Sequence, residues 1–350
     1  MSDIKYTTVD EQVEKLINQN LIINDIDYAK YNLKRFGYSN LIKSYREPYI
    51  IRTGDKITYR SGVTFEQILS LYMLDKNMRN AVMAAMQDLE EHIKETAAGV
   101  IAKSFGTEQS QYLAYRNYVN KRKSKYRFTL QGILDTLNNT LHTDKNPIGH
   151  YQSKYEAVPP WILFKSIYFS TMINFIDLFK VNEQTELVSI LYNDTSLSTN
   201  ALRKLMMDTL YTCLEYRNIA AHGGRIYCHH CSHNVRAEQI FGSLHQNDIK
   251  GFSQLLFLLN LFEYQEPYKQ LKLSLETELS RHCNRFSDDT TYLGQILNVN
   301  IVPTQMSYIS PHSNKYHSIP HCSGLNFSKP IDLNEAKRAG YQPCKKCYKQ

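Results

Sequence analysis

Residues 201–224, ALRKLMMDTLYTCLEYRNIAAHGG, decide the fold. Leu202, Met206, Leu210 and Cys213 recur at spacings of 4, 4 and 3, the stripe of a helix with one buried face. Ser196 to Asn200 supplies a polar start signal and Gly223-Gly224 a stop, so a helix is predicted over Ala201 to Ala221. Arg217 continues the apolar stripe, an unusual place for a guanidinium. Glu215, Asn218 and His222 form the neighbouring ridge at i, i+3 and i+7. Arg217 and His222 are five residues apart, about 140° around a regular helix, so one chain does not focus both on one point.

Imidazole can give and take a proton near neutral pH, and guanidinium offers rigid, permanently charged donors to phosphate oxygens. Together they suit metal-free cleavage of RNA. The 2′-hydroxyl attacks the adjacent phosphate, His222 handles a proton, and Arg217 stabilises the charge of the transition state. The products would be a 2′,3′-cyclic phosphate and a 5′-hydroxyl, with Asn218 placed to orient His222 from one turn back. The competing reading of the same residues is a helix-capping histidine and a structural ion pair.

Working outward, a second long helix is predicted from Thr64, with Gln67 completing a capping box. Its Val82, Met86, Leu89, Ile93, Ala97 and Val100 mark one buried face. Glu90 borders that face, either at its solvent edge or paired with an arginine from another helix. Glu11 to Phe36 contains two short amphipathic patterns split by Asn24-Asp25 and closed by Gly37. Tyr45 to Gly62 reads as irregular, broken by Pro48, Gly54 and Gly62. Pro159-Pro160 introduces WILFKSIYFSTMINFIDLF, too long for a buried strand and so a central core helix. Helices are also predicted over about 128–141 and 248–279. Ser287 to Asn314 reads as a linker with β-character in QILNVNIV.

Charge and compartment bound the function classes. The 350 residues carry 41 basic and 34 acidic side chains, a net charge of +7, compatible with a polyanionic partner. The segment YRNYVNKRKSKYR, residues 115–127, has no acid and interleaves tyrosines with Lys121, Arg122, Lys123 and Lys125. It suits phosphate contacts with base stacking, or serves as a solvated connector. No run is long and apolar enough to span a bilayer, and the polar start MSDIKYTTVDEQ does not read as a secretory signal. A cytoplasmic protein with no membrane partner is expected.

YRNIAAHGGRIY resembles the R-N-x3-H element of the Abi (abortive infection) family, including the downstream Arg225 and Tyr227. The opening EQVEKLINQNLIINDIDYAKYNLKRFGYSNLIKSY is similar to the family's leader. FEQILSLYMLDKNMRNAVMAAMQDLEEHIKE is similar to its Leu-Tyr-x2-Asp-x3-Arg helix followed by a Leu/Ile-Glu pair, and PPWILFKSIYFSTM to its Pro-Trp helix. Two departures are Lys165, where many relatives carry a carboxylate, and Phe169-Ser170 in place of Phe-Gly. The resemblance implies a mainly α fold, a HEPN-type helical bundle. It implies a homodimer whose Arg217, Asn218 and His222 form a composite RNA-cleaving site, with Glu90 as the supporting acid and Arg225 and Tyr227 near the RNA. It further implies a role in phage defence or as a toxin, with an antitoxin or small RNA as a partner. Some relatives of this fold only bind RNA or a partner protein, the alternative reading.

All seven cysteines lie after residue 212, which in a cytosolic chain suggests metal ligation before disulfides. His317, Cys322, Cys344 and Cys347 have the spacing H-x4-C-x21-C-x2-C and suit a structural, tetrahedral zinc. His321 is a rival to His317. The stretch resembles small tails, related to the metal-binding part of Ada-type repair proteins, appended to various nucleases. Asp332 and Glu335 start a short helix there and Gly340 ends it. A surrounding set of lysines and Arg338 suits contact with nucleic acid or protein. A weaker cluster, CHHCSH, places Cys228, His229, His230, Cys231 and His233 just past the motif. It could bind a metal if His282-Cys283 folded back to complete it, the polar loop being the preferred reading. The expected organisation is a helical HEPN domain over 1–285 with a leader over 1–62, a linker over 286–314 and a zinc module over 315–350.

Overall fold

The computed structural model describes residues 6–192, 197–232, 235, 249–301, 306–319, 322, 325 and 327–348. The chain is mainly helical and divides into two compact units, residues 1–78, 274–295 and 300–350 in the first and 79–273 and 296–299 in the second. No helix of the described residues is long and apolar enough to cross a membrane.

The first unit opens with α1 (Val9–Asn18) and α2 (Ile26–Phe36). Thr8 and Glu11 make a reciprocal capping box on α1, and Asp25 caps α2 by accepting from the Tyr28 amide at 2.9 Å. Gly37, at φ +80°, stops α2 as its position in the sequence predicted. Residues 45–62 are not irregular throughout. Strands β1 (Ile50–Thr53) and β2 (Lys56–Tyr59) form an antiparallel hairpin across Gly54-Asp55. Most of its residues face solvent, so no apolar alternation betrays it.

The long helix α3 (Phe65–Phe105) runs through 41 residues, and its predicted stripe from Val82 to Val100 is fully buried. Only half of the expected capping box forms. Thr64 Oγ1 accepts from the Gln67 amide at 3.1 Å, but the Gln67 side chain donates instead to Asp289 Oδ1 at 3.0 Å.

Asp289 organises a buried polar knot in this unit. Its Oδ2 accepts from Tyr49 at 2.7 Å and lies 2.8 Å from His282 Nε2, while His282 Nδ1 meets Ser70 Oγ at 2.9 Å. Burial pushes the Asp289 carboxyl up, but hydrogen bonds from His282, Tyr49 and Gln67 outweigh it and hold the group below its ordinary value. Both ring nitrogens of His282 are therefore engaged, away from the metal role weighed for it. A depressed carboxyl contributes stability above its unfolded value of about 3.9, and that contribution is lost as pH falls through the folded value. Asp289→Asn is expected to lower unfolding stability by about 3 kcal/mol at pH 7, since three donors lose a charged acceptor. In urea melts, the gap between variant and wild type should shrink as pH is taken below about 4.

In the second unit, α4 (Gln109–Tyr112), α5 (Leu130–Leu141), α6 (Ile148–Tyr155), α7 (Pro160–Lys165), α8 (Phe169–Ile176), α9 (Val181–Leu191), α10 (Thr199–Ala221) and α11 (Phe252–Asn260) follow α3. Residues 161–179 are not one helix. The chain breaks at Ser166-Ile167-Tyr168 and restarts as α8. Lys94 holds the break: its buried Nζ donates to the freed Ile167 carbonyl at 2.6 Å and pairs with Glu90 at 2.6 Å. The pattern over 248–279 is likewise two helices, α11 and α12 (Glu266–Cys283), because the Glu263 amide turns away to donate to Leu191 O at 2.8 Å.

The stretch read as a linker is helical over α13 (Thr290–Leu297), which corrects the β-character expected of QILNVNIV. It also contains β3 (Met306–Ile309), which pairs antiparallel with β5 (Lys329–Asp332). Strand β4 (Lys315–Tyr316) pairs parallel with β6 (Gln342–Pro343), and α14 (Leu333–Arg338) ends before Gly340 at φ +84°. The core of this C-terminal module is small: Tyr316, Leu333 and Ala336, with Ile309, Ile331, Tyr341 and Tyr348 packed at its edge.

Candidate functional site

Helix α10 is capped by Ser198, whose hydroxyl accepts from the Ala201 amide at 3.3 Å, and it packs against α8, α9 and α11. Leu205, Met206, Leu210 and Cys213 are fully buried along its stripe. Its end is a Schellman motif: the Gly223 amide donates to Ala220 O at 3.3 Å and the Gly224 amide to Ile219 O at 2.9 Å. Gly223 sits at φ +70°, and a side chain on Gly224 would meet Ile219 Cγ2 at 2.8 Å. Each glycine is thus required for its own reason. The turn leaves His222 as the C-cap residue, exposed, with its ring making no hydrogen bond among the described residues.

Arg217 is partly buried and donates through Nη1 to Asn218 Oδ1 at 3.3 Å. Asn218 is therefore joined to Arg217, not to His222 as expected. Arg217 and Glu90 line one groove of about 1040 Å³, together with Lys94, Lys165 and Tyr264. The partner of Glu90 is neither solvent alone nor an arginine but Lys94, four residues along its own helix. With Asp88, Glu91 and Glu95 on the same wall, the groove carries more carboxylates than cations. His222 is not part of its lining.

Two residues that the sequence placed but gave no partner take part here. Arg79, the arginine of the Leu-Tyr-x2-Asp-x3-Arg pattern, reaches the Gly224 carbonyl at 3.5 Å, so the spacing of that pattern was the available signal. Glu215 accepts from the Ser232 amide at 2.8 Å and the Ser232 hydroxyl at 2.7 Å, with His229 Nε2 at 2.9 Å. Burial pushes its carboxyl up, but these partners carry it below its ordinary value. The segment after the motif thus folds back on α10.

The residues expected near RNA differ in their availability. Tyr227 is buried at 2% exposure, so its ring offers no stacking face, while Arg225 is exposed. Lys121 and Lys123 both clamp Asp177, at 2.8 and 2.6 Å. Burial raises the Asp177 carboxyl, yet the two ammonium groups prevail and hold it low. Arg122 and Lys125 remain exposed beside Tyr115 and Tyr126, whereas Tyr118 is buried against Phe175.

In the C-terminal module, His317, Cys322, Cys344 and Cys347 converge, their ligand atoms all within 4.8 Å of one another. Cys322 and Cys344 Sγ are 3.9 Å apart, and Cys347 Sγ is 3.5 Å from His317 Nδ1. Three features fit a metal ion. The buried His317 Nε2 has no hydrogen-bond partner, an expense that proteins ordinarily avoid. Burial and Lys315 also lower the affinity of His317 for a proton, favouring the neutral ring a metal needs. Burial pushes the Cys344 thiol up, but the amides of Cys347 and Lys346 aimed at its sulfur bring it below its ordinary value. His321 and His233 lie outside the described residues. The four residues could hold a metal ion.

Comparison with known families matches residues 31–228, more than half of the chain, to the Abi-like protein family, a span that holds Arg217, Asn218, His222 and Glu90. Neither a curated protein nor a solved structure matches the chain. The C-terminal cluster of His317, Cys322, Cys344 and Cys347 lies wholly outside the matched span. From the helical architecture and this match, the chain belongs to the Abi-like protein family.

Proposed function

We propose that this protein is a HEPN-type endoribonuclease of abortive-infection defence, cleaving RNA at a site shared between the two subunits of a homodimer. Membership of the Abi-like family supports the defence role. The observation that carries the chemistry is the exposed, glycine-terminated end of α10, where the His222 ring makes no hydrogen bond among the described residues, five residues beyond Arg217. An exposed imidazole can exchange protons with a substrate, and an arginine whose side chain bonds, among the described residues, to the exposed Asn218 can turn to a phosphate. On one helix the two diverge by about 140°, so two helix ends facing each other across a dimer supply the convergence. His222 would move the proton of the 2′-hydroxyl or of the leaving oxygen, and Arg217 would neutralise the phosphorane charge. No metal takes part in these steps. The ion of the C-terminal module is proposed to be zinc, closed by four protein ligands and structural.

The carboxylate-rich groove beside Arg217 favours a second reading, a non-catalytic module that holds a partner protein through that groove. Analysis of RNA ends separates the two. Incubated with RNA in excess chelator, the protein is expected to yield 2′,3′-cyclic phosphate and 5′-hydroxyl termini. Intact RNA, or termini of the opposite kind, leaves only the binding role.

A further inference from the structure

We propose that Glu215, His229 and Cys231 form a second metal site, taking a zinc-like transition-metal dication on the flank of α10. Their carboxylate, imidazole and thiol donors all lie within 4.8 Å of one another. Ligand atoms around one tetrahedral zinc stand roughly 3.3–3.8 Å apart, given bonds of about 2.0–2.3 Å. The His229 and Glu215 atoms are already 2.9 Å apart, so seating an ion asks only for small adjustments.

The surroundings are those of a prepared site. Ser232 holds both carboxylate oxygens of Glu215, through its amide and its hydroxyl, fixing the carboxylate as outer partners of metal ligands do. The Tyr216 ring packs edge-on against the His229 ring at 5.2 Å and limits its rotation. All three ligand residues are partly exposed, so an ion can enter and a fourth position faces solvent. The donor types select the ion. One thiolate, one imidazole and one carboxylate suit zinc and its neighbours, and suit magnesium or calcium poorly.

Charge balance favours the loaded state. When the thiol gives its proton to solvent, a dication with one thiolate and one carboxylate is neutral, and neutral His229 adds nothing. An ion pair of His229 with Glu215 accounts for two of the three residues, and the Cys231 thiol, which meets the Tyr216 hydroxyl, is the third donor an ion would recruit. The ion would also pin the Ile226–Ser232 segment to the ridge that carries Asn218 and His222. The site does not depend on the ribonuclease reading, and its test uses no cleavage assay.

The experiment uses the full chain, stripped with chelator, reloaded with Co²⁺ and passed through gel filtration before elemental analysis. Wild type is expected to retain two ions per chain, one for each cluster. Cys344→Ser with Cys347→Ser is expected to retain one, with the near-ultraviolet charge-transfer absorbance of a single thiolate on cobalt. Adding Cys231→Ala, or separately His229→Ala, should remove that ion and its absorbance. The proposal is overturned if the Cys344→Ser, Cys347→Ser chain, whose α10 flank is unaltered, binds no cobalt. It is equally overturned if the ion and absorbance persist in the Cys231→Ala background.

Discussion

Arg217→Ala and His222→Ala are each expected to lower RNA cleavage by about 10²–10⁴-fold, the range for removing a general acid–base or a charge-stabilising donor. Neither should cost much stability. His222 is exposed and its ring has no hydrogen bond among the described residues, while the Arg217 side chain donates to its exposed neighbour Asn218. Surface changes of this kind usually stay within about 0.5 kcal/mol, so circular dichroism and melting should be near wild type. Loss of cleavage in a folded variant then reports chemistry. Mixing the two inactive variants adds a sharper readout. In a shared site, a heterodimer joins the arginine of one subunit to the histidine of the other and recovers cleavage that neither variant shows alone. A site complete within one chain gives no such recovery. Full cleavage by either single variant would remove the assignment of the α10 end.

The elements readable from the sequence were those specified locally. α1, α2, α3 and α10 each carry a cap and a periodic apolar face, and each lies where those signals put it. The two places where one predicted helix is really two share one cause, a tertiary partner for a main-chain group. The break between α7 and α8 exists because Lys94, over seventy residues earlier, takes the Ile167 carbonyl. The gap between α11 and α12 exists because Leu191 receives the Glu263 amide. Periodicity cannot report such contacts, and an apolar run reads as one helix until something claims a carbonyl inside it. The candidate site shows the same division. His317, Cys322, Cys344 and Cys347 converge as their spacing suggested. The spacing of Asn218 and His222 suggested a partnership that the side chains do not make, and Glu215 gains its partners only when the later loop folds back.

If the C-terminal cluster holds the proposed zinc, a strong chelator or Cys344→Ser is expected to unfold that module and leave α1 to α13 folded. Among the described residues its apolar core cluster is Tyr316, Leu333 and Ala336. Burying each contributes about 1–3 kcal/mol, while ordering the backbone costs about 1–2 kcal/mol for each residue. Short two-stranded sheets add little on their own. Metal binding to comparable small modules supplies about 10–16 kcal/mol, more than those three side chains contribute together. Hydrogen exchange locates the effect. The Tyr308 amide, bonded to His317 O at 2.8 Å, and the Cys344 amide, bonded to Tyr316 O at 3.0 Å, tie the metal ligands to the strands. Both should lose protection on chelation, by the full factor that separates folded from open module. Amides inside α10 should not change, because none of the four ligands lies in its unit. Acid should act in the same direction as chelator, since protons compete with the ion for three thiolates and the imidazole. Protection of Tyr308 and Cys344 that survives both treatments would mean that the small core and strands suffice without metal.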